Sequence, residues 1–326
     1  MSGTRRMERP APERPATPTA AGATGAPGSR PRPRRRTVSA GDRAIFFGPL
    51  MVVLVGMLAF PIGFALYASF ADVDNLFSLE FAGAANYQEL FERPADLVTP
   101  FLNTLRFVGV SVAAALVLGF GGALLLNTTL RGRRWFRSAL LFPWVIPTVL
   151  VALLWRWIMD SNLGGAFNGL LAEVGIIDDP VSWLGSPDWA PWVIILAQVW
   201  HGFPFVMIML LAALQAIPDE LYEAAAVDGA GPVRQLTAIT WPGVRPIFVL
   251  VGTLEGLYAF REFATIDVLT KGGPAGSTEV LATQVYRLFF EYHQFGKAVA
   301  LAALMFLLAL LATTFFLRLS IRGDED

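Results

Sequence analysis

The sequence predicts an all-α membrane protein with six transmembrane helices. Three observations carry that prediction. Of the 326 residues, 55% are hydrophobic and 16% charged, and the mean hydropathy is +0.54, beyond the range of an ordinary soluble domain. Six stretches reach the roughly 20 predominantly apolar residues that a helix needs to cross a bilayer. The cationic residues are shared unevenly between the segments joining those stretches, the pattern that orients a multi-span chain.

The elements follow in order. Residues 1–43 form a separate region. Its first 40 residues hold nine Arg and seven Pro, and no Leu, Ile, Phe, Tyr or Trp. Such a stretch buries too little apolar surface to offset chain entropy, so it is expected to be a disordered cytoplasmic tail, basic enough to touch anionic lipid headgroups. The apolar run from Ala44 to Phe70 ends in a loose match to a cleavage site, Ser69-Phe70-Ala71. It exceeds the roughly 7–15 residues of a signal core, and so reads as a retained span. Further spans are expected at 101–127, 138–159, 190–216, 244–266 and 297–319, with 320–326 as a short cytoplasmic tail. Pro61, Pro143, Pro147 and Pro204 fall inside these spans; membrane helices tolerate them because neighbours re-satisfy the freed backbone groups. Gly119, Gly121 and Gly122 in the second span favour close approach of a neighbouring helix.

With the N-terminus inside, 18 of the 25 Lys and Arg residues collect on the inner side, among them the RGRRWFR run from Arg131 to Arg137. Both termini are then cytoplasmic, and so is the loop at 217–243. That loop is too polar to cross a membrane, yet carries helix punctuation. Pro218 suits a first helical position, and Asp219, Glu220 and Glu223 suit the positive end of a helix dipole. Leu221, Ala224, Ala225 and Val227 give a small apolar face. Asp228-Gly229 stops the helix, glycine entering the left-handed region cheaply. Gly231-Pro232 opens a second helix, which Trp241-Pro242 is expected to end. Helices of about nine residues are marginal alone, so they lie either on their own membrane helices or in a separate cytoplasmic protein.

Several enzyme classes are excluded by what the chain lacks. Cysteine is absent, and with it disulfides, thiolate metal sites and Cys nucleophiles. Lys271 and Lys297 are the two lysines, and neither stands in a phosphate-cradling G-x-x-x-x-G-K-[ST] loop. The two histidines, His201 and His293, make no acid/His pair at metal-ligand spacing. A net charge of −1 points to no nucleic-acid partner. Ionisable and polar groups inside spans mark functional cavities. The fifth span holds Glu255, Tyr258, Arg261 and Glu262, with Glu255, Tyr258 and Glu262 sharing one helix face. The fourth holds Gln198, Trp200, His201, Gly202, Phe203 and Phe205. Aromatic faces beside amide and carboxylate groups suit a sugar. Against that, Arg261 and Glu262 can be an interfacial pair, and Trp200 and Phe203 helix or lipid contacts.

Glu223-Ala224-Ala225, then Gly229, then Ile239 and Pro242, resembles the signature loop of the permease subunits of ATP-driven binding-protein-dependent (ABC) importers; the family commonly has Leu where this chain has Trp241. "FPIGFALYASFADVDN", "FAGAANYQELF" and the stretch from Phe263 to Ala302 resemble the carbohydrate branch of that family. The resemblance covers residues 44–319. It implies the type I importer permease fold, in a multi-pass subunit of the bacterial inner membrane with both termini inside. It implies a coupling role for Glu223, Ala224, Ala225, Asp228, Gly229, Ile239 and Pro242. It implies sugar contacts at Gln198, His201, Gly202, Phe205, Glu255, Tyr258 and Ala259. The implied partners are a second permease, two ATPase subunits, an extracytoplasmic solute-binding protein, a sugar and membrane lipid. ATP and magnesium belong to the ATPase, and this chain needs no cofactor of its own. The alternatives are a permease for a non-sugar solute such as a glycerophosphodiester, or a channel or secondary transporter.

Overall fold

The computed structural model describes residues 40–75, 78–128, 132–162 and 165–322. The expected tail therefore lies, through Ser39, outside the described residues, as do 323–326 and Arg131 of the basic run. The chain divides into two units, Met1–Gly56 and Met57–Asp326. The first is described only as the opening of α1 (Ala40–Ala68).

The second unit begins within α1, where apolar side chains from Met57 to Tyr67 are exposed. A hairpin absent from the sequence reading follows. Strands β1 (Ala71–Asn75) and β2 (Ser78–Phe81) pair antiparallel, with Ala71 opposite Phe81. Helix α2 (Ala85–Glu92) anchors the turn out of α1, because Asn86 Nδ2 donates to the carbonyls of Ser69 (3.1 Å) and Ala71 (2.8 Å). Helix α3 (Pro94–Asn127) is longer than the span expected there.

The third expected span is not one helix. It is α4 (Arg133–Val145) and α5 (Thr148–Ile158), bent by 98°. The cause is local. A proline pushes the residue before it out of the helical region, and Ile146 ahead of Pro147 is extended at φ −74, ψ 131. Pro147 is extended as well, and α5 starts afresh after it. Tolerance of proline was the wrong expectation at this site. Among the described residues, five helices are long and apolar enough to cross a membrane, or six if the bent pair is counted as one span.

Short helix α6 (Ala166–Glu173) precedes α7 (Ala190–Gln215), around which the unit is built. The most apolar stretch of α7 is 61% buried, against 22% or less in the other candidate spans, so α7 is the central helix. Its upper half packs with Phe107 of α3, with Val151, Ala152 and Trp155 of α5, and with Ile266 further on. Its lower half packs with Ala115 and Ala123 of α3 and with Val244 and Val251. Two of the three glycines expected to allow close packing do so. A Cβ on Gly119 would overlap Val206 and approach the Met207 backbone, and one on Gly122 would press on the Met207 side chain; Gly121 faces open space.

Helix α8 (Asp219–Val227) begins one residue later than expected, with Pro218 as its extended cap. Helix α9 (Pro232–Gln235) does not stop at Trp241-Pro242. It passes through a π turn, Leu236–Thr240, into α10 (Trp241–Phe260). The Trp241 N–H reaches back five residues to the Leu236 carbonyl, and that widened turn carries the helix past Pro242, whose ring would otherwise crowd the preceding turn. Helix α10 ends at Phe260, short of the expected 266, because Arg261 to Phe263 leave the helical path before α11 (Ala264–Thr270). Helix α12 (Leu281–Tyr286) and α13 (Phe295–Arg322) complete the chain.

Candidate functional site

The α4–α5 break, the middle of α7 and the end of α10 enclose a cavity of about 510 Å³. Six of the seven residues read from the sequence as solute contacts line it: Gln198, His201, Gly202 and Phe205 from α7, and Glu255 and Tyr258 from α10. The seventh, Ala259, is 2% exposed and packs in the core with Phe107 and Val199. It sits one residue round the helix from Tyr258, which turns it away from the cavity.

Gly202 of α7 and Glu255 of α10 meet in the cavity wall. A Cβ on Gly202 would overlap the Glu255 carboxylate, so only glycine leaves that carboxylate its place. Glu255 is 3% exposed and Gln198 5%, and both line the cavity. His201 Nε2 donates to the Ile146 carbonyl at 3.1 Å. That carbonyl sits at the break, where the N–H groups of Leu150 and Val151 both turn to Pro147 O instead. The histidine thus satisfies a backbone group that the kink has freed.

The sequence reading missed the contribution of the break itself. Trp144 and Thr148, on either side of it, line the cavity, and the Trp144 ring stacks on Phe205 with centroids 5.7 Å apart and planes 22° apart. The Pro143-x-x-x-Pro147 spacing was the available signal. Arg261 and Glu262 line the cavity but form no pair with each other among the described residues. Arg261 lies over the Tyr258 ring, 4.9 Å from its centroid, and Glu262 Oε1 accepts the Thr265 N–H at 2.7 Å, capping α11. Trp200 packs edge-on against Trp155, and Phe203 packs against the lower core.

The loop residues sit elsewhere. Glu223, Ala224, Ala225 and Asp228 are on α8 or at its end, and α8 has no buried residue. Leu221 is 50% exposed and Val227 88%. The helix closes with the Gly229 N–H on Ala226 O and the Ala230 N–H on Ala225 O, the crossed pair that needs a left-handed residue between. Gly229 supplies it at φ +77. Tyr222 OH and Thr240 Oγ1, 3.0 Å apart, tie α8 to the π turn. Ile239 lies in that turn and Pro242 in the first turn of α10.

The family described as binding-protein-dependent transport system inner membrane component matches residues 115–322. The trehalose/maltose transport system permease protein MalF of Thermococcus litoralis is 36% identical over 274 residues, which are 83% of this chain and 90% of that protein. The sulfoquinovosyl glycerol transport system permease protein SmoG of Agrobacterium fabrum is 32% identical over 289 residues, 87% of this chain and 92% of that one. Among solved structures, a chain of a bacterial alginate ABC transporter, in complex with an alginate pentasaccharide-bound periplasmic protein, superposes with a TM-score of 0.73. The match covers 86% of this chain and 95% of that one at 24% identity, a likeness of fold.

Proposed function

Because this chain belongs to the family of binding-protein-dependent transport system inner membrane components, we propose that it is a permease subunit of an ATP-driven sugar importer in the bacterial inner membrane. Both termini lie inside, the α7–α10 cavity is a solute station, and α8 with the π turn is the contact for a separate ATPase. Relatives named for the transport of trehalose/maltose and of sulfoquinovosyl glycerol are the support for a carbohydrate.

One observation carries the coupling. The helix that bears Glu255 and Tyr258 is the same 29-residue rod, Pro232–Phe260, that starts in the loop. At about 1.5 Å per residue, it links the loop to the cavity wall over roughly 30 Å. Force applied at α8 reaches this rod through Tyr222–Thr240 and moves Glu255 against Gly202 on α7. Closure of the ATPase dimer then opens the cavity outward to receive a sugar from the binding protein, and nucleotide release reverses the movement. A channel or secondary transporter has no use for an uncovered helix such as α8, whose isolated stability is marginal.

The test is capture of the tagged chain from mildly solubilised membranes of its own cell, with identification of the chains that come with it. An ATPase with a phosphate-binding loop and a second permease are expected. Recovery of the chain by itself, from membranes that transport normally, would overturn the reading.

A further inference from the structure

Two consecutive residues hold the two ends of α11, the short helix that follows the break after α10. Phe263 caps α11 at its start and lines the cavity, as does Ala264. The Phe263 ring packs on that of Tyr286 at the end of α12, with centroids 4.5 Å apart and planes 35° apart. Lys271 caps the far end in the left-handed region at φ +52, and its carbonyl accepts from Arg287 Nη2. The same guanidinium donates through Nη1 to Glu279 Oε1 at 3.0 Å. It lies against Gly272, where a Cβ would come 3.0 Å from Nη2. The two caps stand on either side of seven helical residues, about 10 Å of helix. A π turn, Arg287–Glu291, opens directly after Tyr286, a kind of turn that recurs at functional positions.

The place of α11 is not inherited from the α10 rod, because Arg261 to Phe263 leave the helical path. Ile266 and Leu269 bury in the core, but apolar burial is non-directional. Directional holds come from neighbours. Arg156 of α5 donates to Val268 O at 3.3 Å. The chain after α11 is fixed to α3, where Asn103 Nδ2 donates to the carbonyls of Gly276 and Glu279, both at 3.0 Å, and Arg106 Nη2 to that of Ser277 at 3.1 Å. What holds both caps at once is the Tyr286–Arg287 pair. We propose that Tyr286 and Arg287 are positioning residues for solute passage: they brace α11 at its two caps and so set Phe263 and Ala264 in the cavity wall. The inference rests on the permease reading, in which this cavity is the solute station. Neither residue lines the cavity itself. Arg287 acts through its planar fork, which serves two acceptors at once as an ammonium does not, and Tyr286 acts through its ring.

The test uses the complete importer in lipid nanodiscs. The chain has no cysteine, so Ala264→Cys puts a single thiol on α11, and Thr148→Cys puts one on the α5 wall of the same cavity. Hydroxyethyl methanethiosulfonate, small and uncharged, is the probe, and its rate of addition is read by mass spectrometry of the chain. Arg287→Met removes the hydrogen bonds and should speed addition at position 264 by about tenfold, with little change at 148. Arg287→Lys keeps the charge without the fork and should restore part of the protection. Tyr286→Ala should act like Arg287→Met while leaving the Arg287–Glu279 pair in place, and Tyr286→Phe, which keeps the ring, should behave as wild type. ATP hydrolysis stimulated by the binding protein, taken loaded from cells, should fall and recover in the same order. A general loss of stability would move positions 264 and 148 together. That result, an unchanged rate at 264, or Tyr286→Phe as damaging as Tyr286→Ala, overturns the proposal. Normal stimulation in variants whose position 264 reacts fast overturns it too. No stimulation of the unsubstituted complex would overturn the permease reading, and the proposal would fall with it.

Discussion

The α-carbon of Gly202 stands where any Cβ would overlap the Glu255 carboxylate. The overlap falls on the far end of a side chain and not on backbone, so Gly202→Ala should leave α7 and α10 packed and drive the carboxylate aside. A side-chain hydrogen bond is worth about 0.5–1.5 kcal/mol, which is roughly a two- to tenfold change in an equilibrium constant. Uptake by Gly202→Ala should therefore show a KM raised within that range while the complex purifies in normal yield. A normal KM would mean that the carboxylate does not meet the solute.

The His201–Ile146 bond holds the cavity's third wall at the α4–α5 break. His201→Ala removes the donor, and cavity water can replace it, so the loss of stability should be only about 1 kcal/mol. The larger effect should be on uptake, because Trp144 and Thr148 flank the freed carbonyl. His201→Gln, with a donor of similar reach, should recover part of the activity. Equal activity in all three forms would show that the break holds its shape without this bond.

The cavity was legible to the extent that it depends on helix periodicity. Glu255 and Tyr258, three apart, share a face by arithmetic, and so do Gln198, His201 and Phe205 to within a helical turn. What periodicity could not deliver was anything that depends on where a helix stops. Ala259 follows from the family resemblance alone, and its position next to Tyr258 turns it into the core. The break at Pro147 has a local cause, but which neighbour meets the carbonyl it frees, His201 on Ile146 O, is a tertiary fact. The π turn is similar: Trp241-Pro242 is a stop signal locally, overridden once the Trp241 N–H reaches Leu236 O.

The α3–α7 seam gives a paired prediction. Gly119 meets Val206 and the Met207 backbone, which cannot swing away, while Gly121 on the same helix meets nothing. Gly119→Val should overpack the seam at a cost of about 1–3 kcal/mol, visible as a lower unfolding midpoint of the purified complex. Gly121→Val should show little change. The reverse order would mean that α3 presents a different face to α7.

Orientation is tested by labelling. In the proposed topology the basic run beside α4 and the α8 loop both face the cytoplasm, and the chain has no cysteine of its own to interfere. A cysteine at Val227, 88% exposed, should resist a membrane-impermeant maleimide in intact cells and react once the membrane is opened. Labelling from outside would invert the topology and remove α8 from any contact with a cytoplasmic ATPase.

The α8 loop itself can be broken in two ways that separate its shape from its contacts. Gly229 takes φ +77 between the two crossed bonds that close α8, and a β-branched residue is strained there. No atom crowds the position, so Gly229→Val acts through the backbone alone, turning α8 relative to α9 and straining the Tyr222–Thr240 link. Glu223 is exposed and makes no ion pair among the described residues, so Glu223→Lys leaves the fold of the subunit untouched and changes only what a partner meets. Neither substitution lies in the apolar body of a span, and both variants should reach the membrane in normal amounts. Both should lose ATP hydrolysis stimulated by a loaded binding protein. For Glu223→Lys, the reversed charge at a contact should weaken ATPase association by several kcal/mol, seen as loss of the ATPase during purification. For Gly229→Val, a retained ATPase with uncoupled hydrolysis is the expected pattern, since the contact surface survives while the lever behind it is misaligned. Wild-type association and stimulation in both variants would reduce the loop to a connector, and the rod from Pro232 to Phe260 would then have no input at its cytoplasmic end.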